Sequence, residues 1–273
     1  MVQRIMVAVV CIPLLLLFFF ALPPICVPIM FSVLSMIGVH EVLWSTGFVK
    51  HARISAYSII VAGLIPFWVY FGSAETPFLC GILCYVTLVF CEALASHYSV
   101  TLEKMGGAFF FTVMIPYFLS SFIRIEMRAD GLGQYYILLP LVAAFTSDAF
   151  ALFAGMAFGK HKLAPDLSPK KTVEGSAGGF AGAVVCCCIY GAVMQFACGL
   201  QVNYLALVLY GALGSVISQI GDLSFSYIKR QYGLKDFGNI FPGHGGVLDR
   251  FDIVIFCAPL LEVLIWLLPA FAL

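Results

Sequence analysis

Ser226 to Asp252 reads SYIKRQYGLKDFGNIFPGHGGVLDRFD and lies between two apolar runs, 203–228 and 251–271. It holds Lys229, Arg230, Lys235, Asp236, His244, Asp249, Arg250 and Asp252, in a chain of which only 10% is charged. A charge left beside hydrocarbon costs several kcal/mol. A polar, glycine-broken segment between runs long enough to cross a bilayer therefore reads as an aqueous loop joining two transmembrane helices, and its charges need a use.

The rest of the chain agrees with that reading. Of 273 residues, 62% are hydrophobic and 26 are Phe, with a mean hydropathy of +1.05, against roughly half apolar for a soluble domain. The expected fold class is all-α: a polytopic integral membrane protein. A span takes about 20 apolar residues, and that rule gives about nine transmembrane helices: 5–22, 24–39, 54–71, 77–95, 106–122, 135–159, 176–200, 203–228 and 251–271. Pro23-Pro24 marks a tight hairpin between the first two, and the joint at Gly199 to Asn203 is equally short. The first run is long for a secretory signal, and those prolines stand where a small-residue cleavage site would be, so it reads as an uncleaved span.

Nine spans put the connecting loops alternately on two sides. One side collects twelve basic residues, Arg4, Lys50, Arg53, Lys104, Lys160, Lys162, Lys170, Lys171, Lys229, Arg230, Lys235 and Arg250, and the other only two, Arg124 and Arg128. By the positive-inside rule the N-terminus is cytoplasmic and the C-terminus lies outside. Both long polar loops, 160–175 and 229–250, then face the cytoplasm, where nucleotides are found. The division expected is a scaffold of transmembrane helices in 1–134 and a catalytic region in 135–273 that carries both loops. The location expected is the inner (cytoplasmic) membrane, multi-pass, with the site facing the cytoplasm.

Zero net charge gives no global attraction to nucleic acid, so no such partner is expected. The ten cysteines, at 11, 26, 80, 84, 91, 186, 187, 188, 198 and 257, all fall in apolar runs without zinc-site spacing, and read as small buried hydrophobes.

The candidate chemistry sits beside the two loops. Asp148 lies in the sixth span, Asp222 late in the eighth, and Asp249 opens the ninth with Asp252 one turn on. If the eighth span stays helical past the membrane edge, Asp222, Ser226 and Lys229 share a face. Two helix ends presenting carboxylates to one cavity make a seat for Mg²⁺, which uses one or two carboxylates and completes its shell with water and substrate phosphate. Glu262 and Glu92 lack such company and read as structural. The loop KHKLAPDLSPKKTVEG at 160–175 concentrates Lys160, Lys162, Lys170, Lys171, Ser168 and Thr172, which suits either a polyphosphate or lipid headgroups. Pro242-Gly243-His244-Gly245-Gly246 is not a Walker loop. Its Gly245 and Gly246 could admit a phosphate or only make a turn, and His244 could touch phosphate, move a proton or fix the turn.

In combination the pattern resembles a known family. Ser226, Ile228, Lys229, Arg230, Lys235, Asp236, Gly238, Phe241, Pro242, His244, Gly245, Gly246, Val247, Asp249, Arg250, Phe251 and Asp252, in that order and without a gap, resemble the signature of phosphatidate cytidylyltransferase, also called CDP-diacylglycerol synthase. Ser147 and Asp148, Gly159 to Leu163, Pro165, Ser168 to Thr172, Glu174 and Gly175 look like further family features, so the likeness covers roughly the C-terminal half. Ala149 and Met156 depart from the family pattern, where a hydroxyl and a basic residue are common.

The resemblance implies transfer of CMP from CTP to phosphatidate, giving CDP-diacylglycerol and pyrophosphate in phospholipid biosynthesis. Under it, Asp222 and Asp249 would hold one or two Mg²⁺ ions. Lys170, Lys171, Lys229, Arg230 and Arg250 would neutralise phosphates, with Asp148, Ser226, Lys235, Asp236, His244 and Asp252 in support. Two other readings stand beside it: a transporter, whose intramembrane acids mark an ion path, and a CTP-dependent lipid-alcohol kinase. Gly214, Ser218 and Gly221 allow close helix packing, internal or in a homodimer.

Overall fold

In hydrocarbon every backbone N–H and C=O must be paired within the chain, so apolar runs of this length become helices. The computed structural model describes residues 18–47, 52–72, 75–96, 100–128, 131–238 and 245–273. The helices are α1 (Cys26–Ser45), α2 (Ala52–Tyr70), α3 (Glu75–Ala95), α4 (Leu102–Leu119), α5 (Ser121–Glu126), α6 (Gly133–Tyr136), α7 (Leu139–Phe158), α8 (Val173–Cys198), α9 (Tyr204–Gln231) and α10 (Leu248–Leu267). Four short strands join them: β1 (Lys162–Ala164), β2 (Ser168–Thr172), β3 (Gln201–Val202) and β4 (Phe271–Ala272).

Seven helical stretches among the described residues are long and apolar enough to cross a membrane: Cys26–Ser45, Ala52–Tyr70, Thr76–Ala95, Leu102–Glu126, Gly133–Phe158, Val173–Cys198 and Tyr204–Gln231. They coincide with the second to eighth expected spans. The ninth corresponds to α10, which is as apolar as its neighbours but carries four charged residues, Asp249, Arg250, Asp252 and Glu262. The first expected span lies outside the described residues except for 18–22. The chain is an all-α, polytopic membrane protein.

Two boundaries differ from the sequence reading. Residues 160–175 are not simply a loop, because β1 and β2 pair antiparallel, with Lys162 opposite Thr172 and Ala164 opposite Ser168. The connection expected at 229–250 is shorter. Lys229 and Arg230 still belong to α9, while Asp249 and Arg250 already belong to α10. Hydropathy stops at the first charges, whereas helical hydrogen bonding continues through them.

α7 and α8 pack against each other along an unusually small-residue face. A Cβ on Gly179 would stand 2.6 Å from the Ser147 carbonyl oxygen, and one on Gly175 would stand 2.7 Å from that of Ala151. These positions at four-residue spacing let two backbones approach in a way no larger residue allows. Thr172 caps α8 by accepting from the Gly175 N–H at 3.1 Å, and Gly199, with φ +70°, closes it.

α9 packs on α7, α8 and α10, and α10 also reaches α1, α4 and α5. Gly214 faces Ala143 and Leu261, and Gly221 faces Asp252 and Phe256. This small-residue stripe is used within the chain, so a homodimer would need other surfaces. The nine described cysteines are free. Both lone acids have partners: Glu92 meets Arg53 at 3.3 Å and Glu262 meets Arg124 at 2.6 Å.

Candidate active site

The β1–β2 hairpin folds over the ends of α7, α8 and α9 and closes a cavity of about 620 Å³. Glu174, in the first turn of α8, fixes the hairpin's base by accepting from the Lys160 N–H at 3.1 Å, the His161 N–H at 3.2 Å and the His161 ring Nδ1 at 2.6 Å. A carboxylate there also complements the positive end of α8. Lys162, Ser168, Lys170, Lys171 and Thr172 from the hairpin line the cavity, with Asp148 from α7 and Asp222 from α9. Lys171 forms an ion pair with Asp222, and the Lys162 ammonium donates to the Pro169 carbonyl at 2.7 Å. Leu152, Met156, Leu163 and Ile253 complete an apolar wall.

A polar network forms the floor. The hydroxyls of Ser147 and Ser215 lie 2.7 Å apart, the Gln219 amide donates to Ser215 Oγ at 3.0 Å and to the Ser176 carbonyl at 3.3 Å, and the Ser176 hydroxyl donates to Gln219 Oε1. It ties α7, α8 and α9 together beneath Asp148 and Asp222.

A second, buried cluster lies near Asp222. α9 does remain helical to Gln231, as the shared face of Asp222, Ser226 and Lys229 requires. Ser226 donates to Asp222 Oδ1 at 3.3 Å, and Lys229 Nζ stands 2.9 Å from Asp249 Oδ1 and 3.7 Å from Asp252 Oδ2. Asp249 Oδ2 accepts from the N–H groups of Phe237 at 2.8 Å and Gly246 at 2.9 Å. The Phe237 ring lies 5.3 Å from the Lys229 ammonium. Gly245 has φ +85°, the left-handed region that favours glycine.

The expected site residues thus separate. Asp148, Lys162, Ser168, Lys170, Lys171, Thr172 and Asp222 share the cavity. Lys229, Asp249 and Asp252 form the buried cluster, with Gly246. Arg230 ties the end of α9 to the hairpin, donating to the carbonyls of Leu167 at 3.2 Å and Leu234 at 3.0 Å. Lys160, Lys235, Asp236 and Arg250 are exposed and do not line the cavity. His244 lies outside the described residues.

Among the described residues no group of three or more His, Cys, Asp or Glu forms a ready metal cage. The donors present nevertheless fit a hard divalent cation that takes only one or two carboxylates. The carboxyl groups of Asp222, Asp249 and Asp252 stand against the two ammonium groups of Lys171 and Lys229.

Glu41, Ser176, Ser215 and Gln219 escaped the sequence reading. Ser176 and Gln219 are neutral and sit in spans, where hydropathy registers only a slight dip. Glu41 was legible as an intramembrane acid, a type that is costly unless partnered, but its partners lie 206 residues or more away.

A family model described as the Cytidylyltransferase family matches residues 2–268. The chain is 37% identical over 211 residues to the phosphatidate cytidylyltransferase of Bacillus subtilis (strain 168), spanning 74% of this chain and 77% of that protein. It is 44% identical over 138 residues to the phosphatidate cytidylyltransferase of Staphylococcus haemolyticus (strain JCSC1435), a match spanning 50% of this chain and 51% of that one. Against the protein of the same name from Staphylococcus aureus (strain COL), identity is 41% over 140 residues, 51% of this chain and 52% of the other.

Proposed function

The chain belongs to the Cytidylyltransferase family, and on that premise we propose that it is a phosphatidate cytidylyltransferase, transferring CMP from CTP to phosphatidate with the aid of one or two Mg²⁺ ions. The observation that carries this reading is the cavity of about 620 Å³ in which Lys162, Lys170 and Lys171 meet Asp148 and Asp222 beside the apolar wall of Leu152, Met156 and Leu163. Its volume suits a nucleotide, its ammonium groups suit phosphates, and its apolar wall suits a substrate arriving from the bilayer.

The nucleophile, an oxygen of the phosphatidate phosphate, is already anionic and needs no strong base. It attacks the α-phosphorus of CTP. As that P–O bond forms, the bond from the α-phosphorus to the oxygen leading to the β-phosphate breaks, and the electron pair leaves on pyrophosphate. Lys170 and Lys171 offset the charge of the two anionic substrates and of the departing pyrophosphate, which is the main task in phosphoryl-group chemistry. Asp222, with Asp249, would hold Mg²⁺, and the bound ion would supply further neutralisation of phosphate oxygens. Lys229 holds Asp249 in place through their ion pair at 2.9 Å. The twelve-to-two division of basic residues supports a cytoplasmic N-terminus and a site open to cytoplasmic CTP, in the inner membrane of a bacterial cell.

The test uses purified protein in detergent with Mg²⁺, CTP labelled at the α position, and either phosphatidate or a lipid alcohol. Label entering lipid with release of pyrophosphate is expected. Label left wholly in soluble CDP with a lipid alcohol would instead make the protein a kinase, and no turnover with either lipid would reopen transport.

A further inference from the structure

Glu41 lies on α1, in the half of the chain whose sequence suggests little chemistry, and is only 5% exposed. Its Oε1 accepts from the Val247 N–H at 3.0 Å and its Oε2 from the Leu248 N–H at 2.8 Å. These N–H groups open α10, whose own N-cap residue, Val247, supplies no side-chain cap. The preceding N–H, that of Gly246, donates to Asp249 Oδ2 at 2.9 Å. Three consecutive N–H groups are thus divided between Glu41 and Asp249.

The chain is shaped around the Glu41 carboxylate. A Cβ on Gly238 or on Gly246 would run into its oxygens, so both glycines let the segment close on it. A buried carboxylate is tolerated only with such donors and the positive end of a helix. An apolar side chain would serve a merely packed wall at lower cost.

We propose that Glu41 is a positioning residue: by holding the 246–248 turn it sets the direction in which Asp249 presents its carboxylate to Lys229 and to the metal. The kinetic part of this proposal rests on the cytidylyl-transfer reading. The test compares the full chain in detergent with Glu41→Gln, Glu41→Asp and Gly238→Ala, the last of which presses on the same carboxylate without removing it. Three quantities are read: amide exchange at 246–249, the rise in melting temperature on adding Mg²⁺, and the Mg²⁺ concentration for half-maximal turnover.

Glu41→Gln is expected to speed exchange at 246–249, to shrink the Mg²⁺-dependent rise, and to raise the half-maximal Mg²⁺ concentration roughly tenfold or more, with KM for CTP little changed. Glu41→Asp should fall between it and wild type. A residue that only packs would lower the melting temperature and nothing else. Unchanged exchange at 246–249, unchanged Mg²⁺ dependence in the variants, or a wild type insensitive to Mg²⁺ overturns the proposal. Should Glu41→Gln fail to fold, Gly238→Ala carries the same comparison. If wild type makes no CDP-lipid, the cytidylyl-transfer reading falls alone, while exchange and the Mg²⁺-dependent melting shift still decide Glu41.

Discussion

Lys229 on α9 and Asp249 on α10 form a buried ion pair, Nζ to Oδ1 2.9 Å, with the Asp249 side chain 3% exposed. Removing one partner of such a pair leaves an uncompensated charge and costs about 3–5 kcal/mol. Lys229→Met should therefore lower the melting temperature sharply. The double variant Lys229→Met/Asp249→Asn should recover part of that loss, because no charge of the pair is then left alone, yet show no turnover. A double variant no more stable than Lys229→Met would show that the pair is not the stabilising unit.

Asp222 and Asp249 were equivalent in the sequence, and the structure separates them. Asp222 lines the cavity with its side chain 21% exposed and pairs with Lys171, itself 25% exposed. A partly solvated pair contributes only about 0–1 kcal/mol. Asp222→Asn is expected to abolish turnover while leaving the melting temperature nearly unchanged, whereas Asp249→Asn should abolish turnover and lower stability as well. Thermal unfolding measured beside the CTP assay checks both, and near wild-type activity in either variant would sink the metal site.

Gln219 joins three helices at the cavity floor through Ser176 and Ser215. Gln219→Leu takes the acceptor from the Ser176 hydroxyl and one donor from Ser215, which keeps its contact with Ser147, a loss of about 0.5–1.5 kcal/mol per hydrogen bond. The expected result is a lower melting temperature and a raised KM for a substrate seated on that floor. Unaltered kinetics at a lowered melting temperature would make the network a helix fastener only.

These contrasts show where the sequence was legible. Seven spans could be read because lipid forces long apolar runs into helices, and the lysine hairpin and Asp222 were read because charges near spans need a use. What hydropathy could not reveal was the pairing of elements. Asp249 read as opening onto one cavity with Asp222, because its Phe237 and Gly246 donors come from backbone pairing that hydropathy does not register. The hairpin at 162–172 is too short and too polar to announce itself as strands. Glu41 was passed over because its partners lie at the far end of the chain.

Glu262 tests the rule that an intramembrane acid is functional by default. It sits on α10 thirteen residues beyond Asp249, about 20 Å along a helix rising 1.5 Å per residue. Arg124 holds it with two parallel bonds, Nε to Oε1 at 2.6 Å and Nη2 to Oε2 at 2.9 Å, while its guanidinium lies 4.5 Å from the Tyr117 ring. That geometry fastens α5 to α10. Glu262→Gln keeps the shape but loses charge-assisted bonds contributing about 1.5–3 kcal/mol. It should lower the melting temperature while kcat, KM for CTP and the Mg²⁺ requirement stay at wild-type values. A fall in kcat at an unchanged melting temperature would mean that the end of α10 far from Asp249 also takes part in turnover.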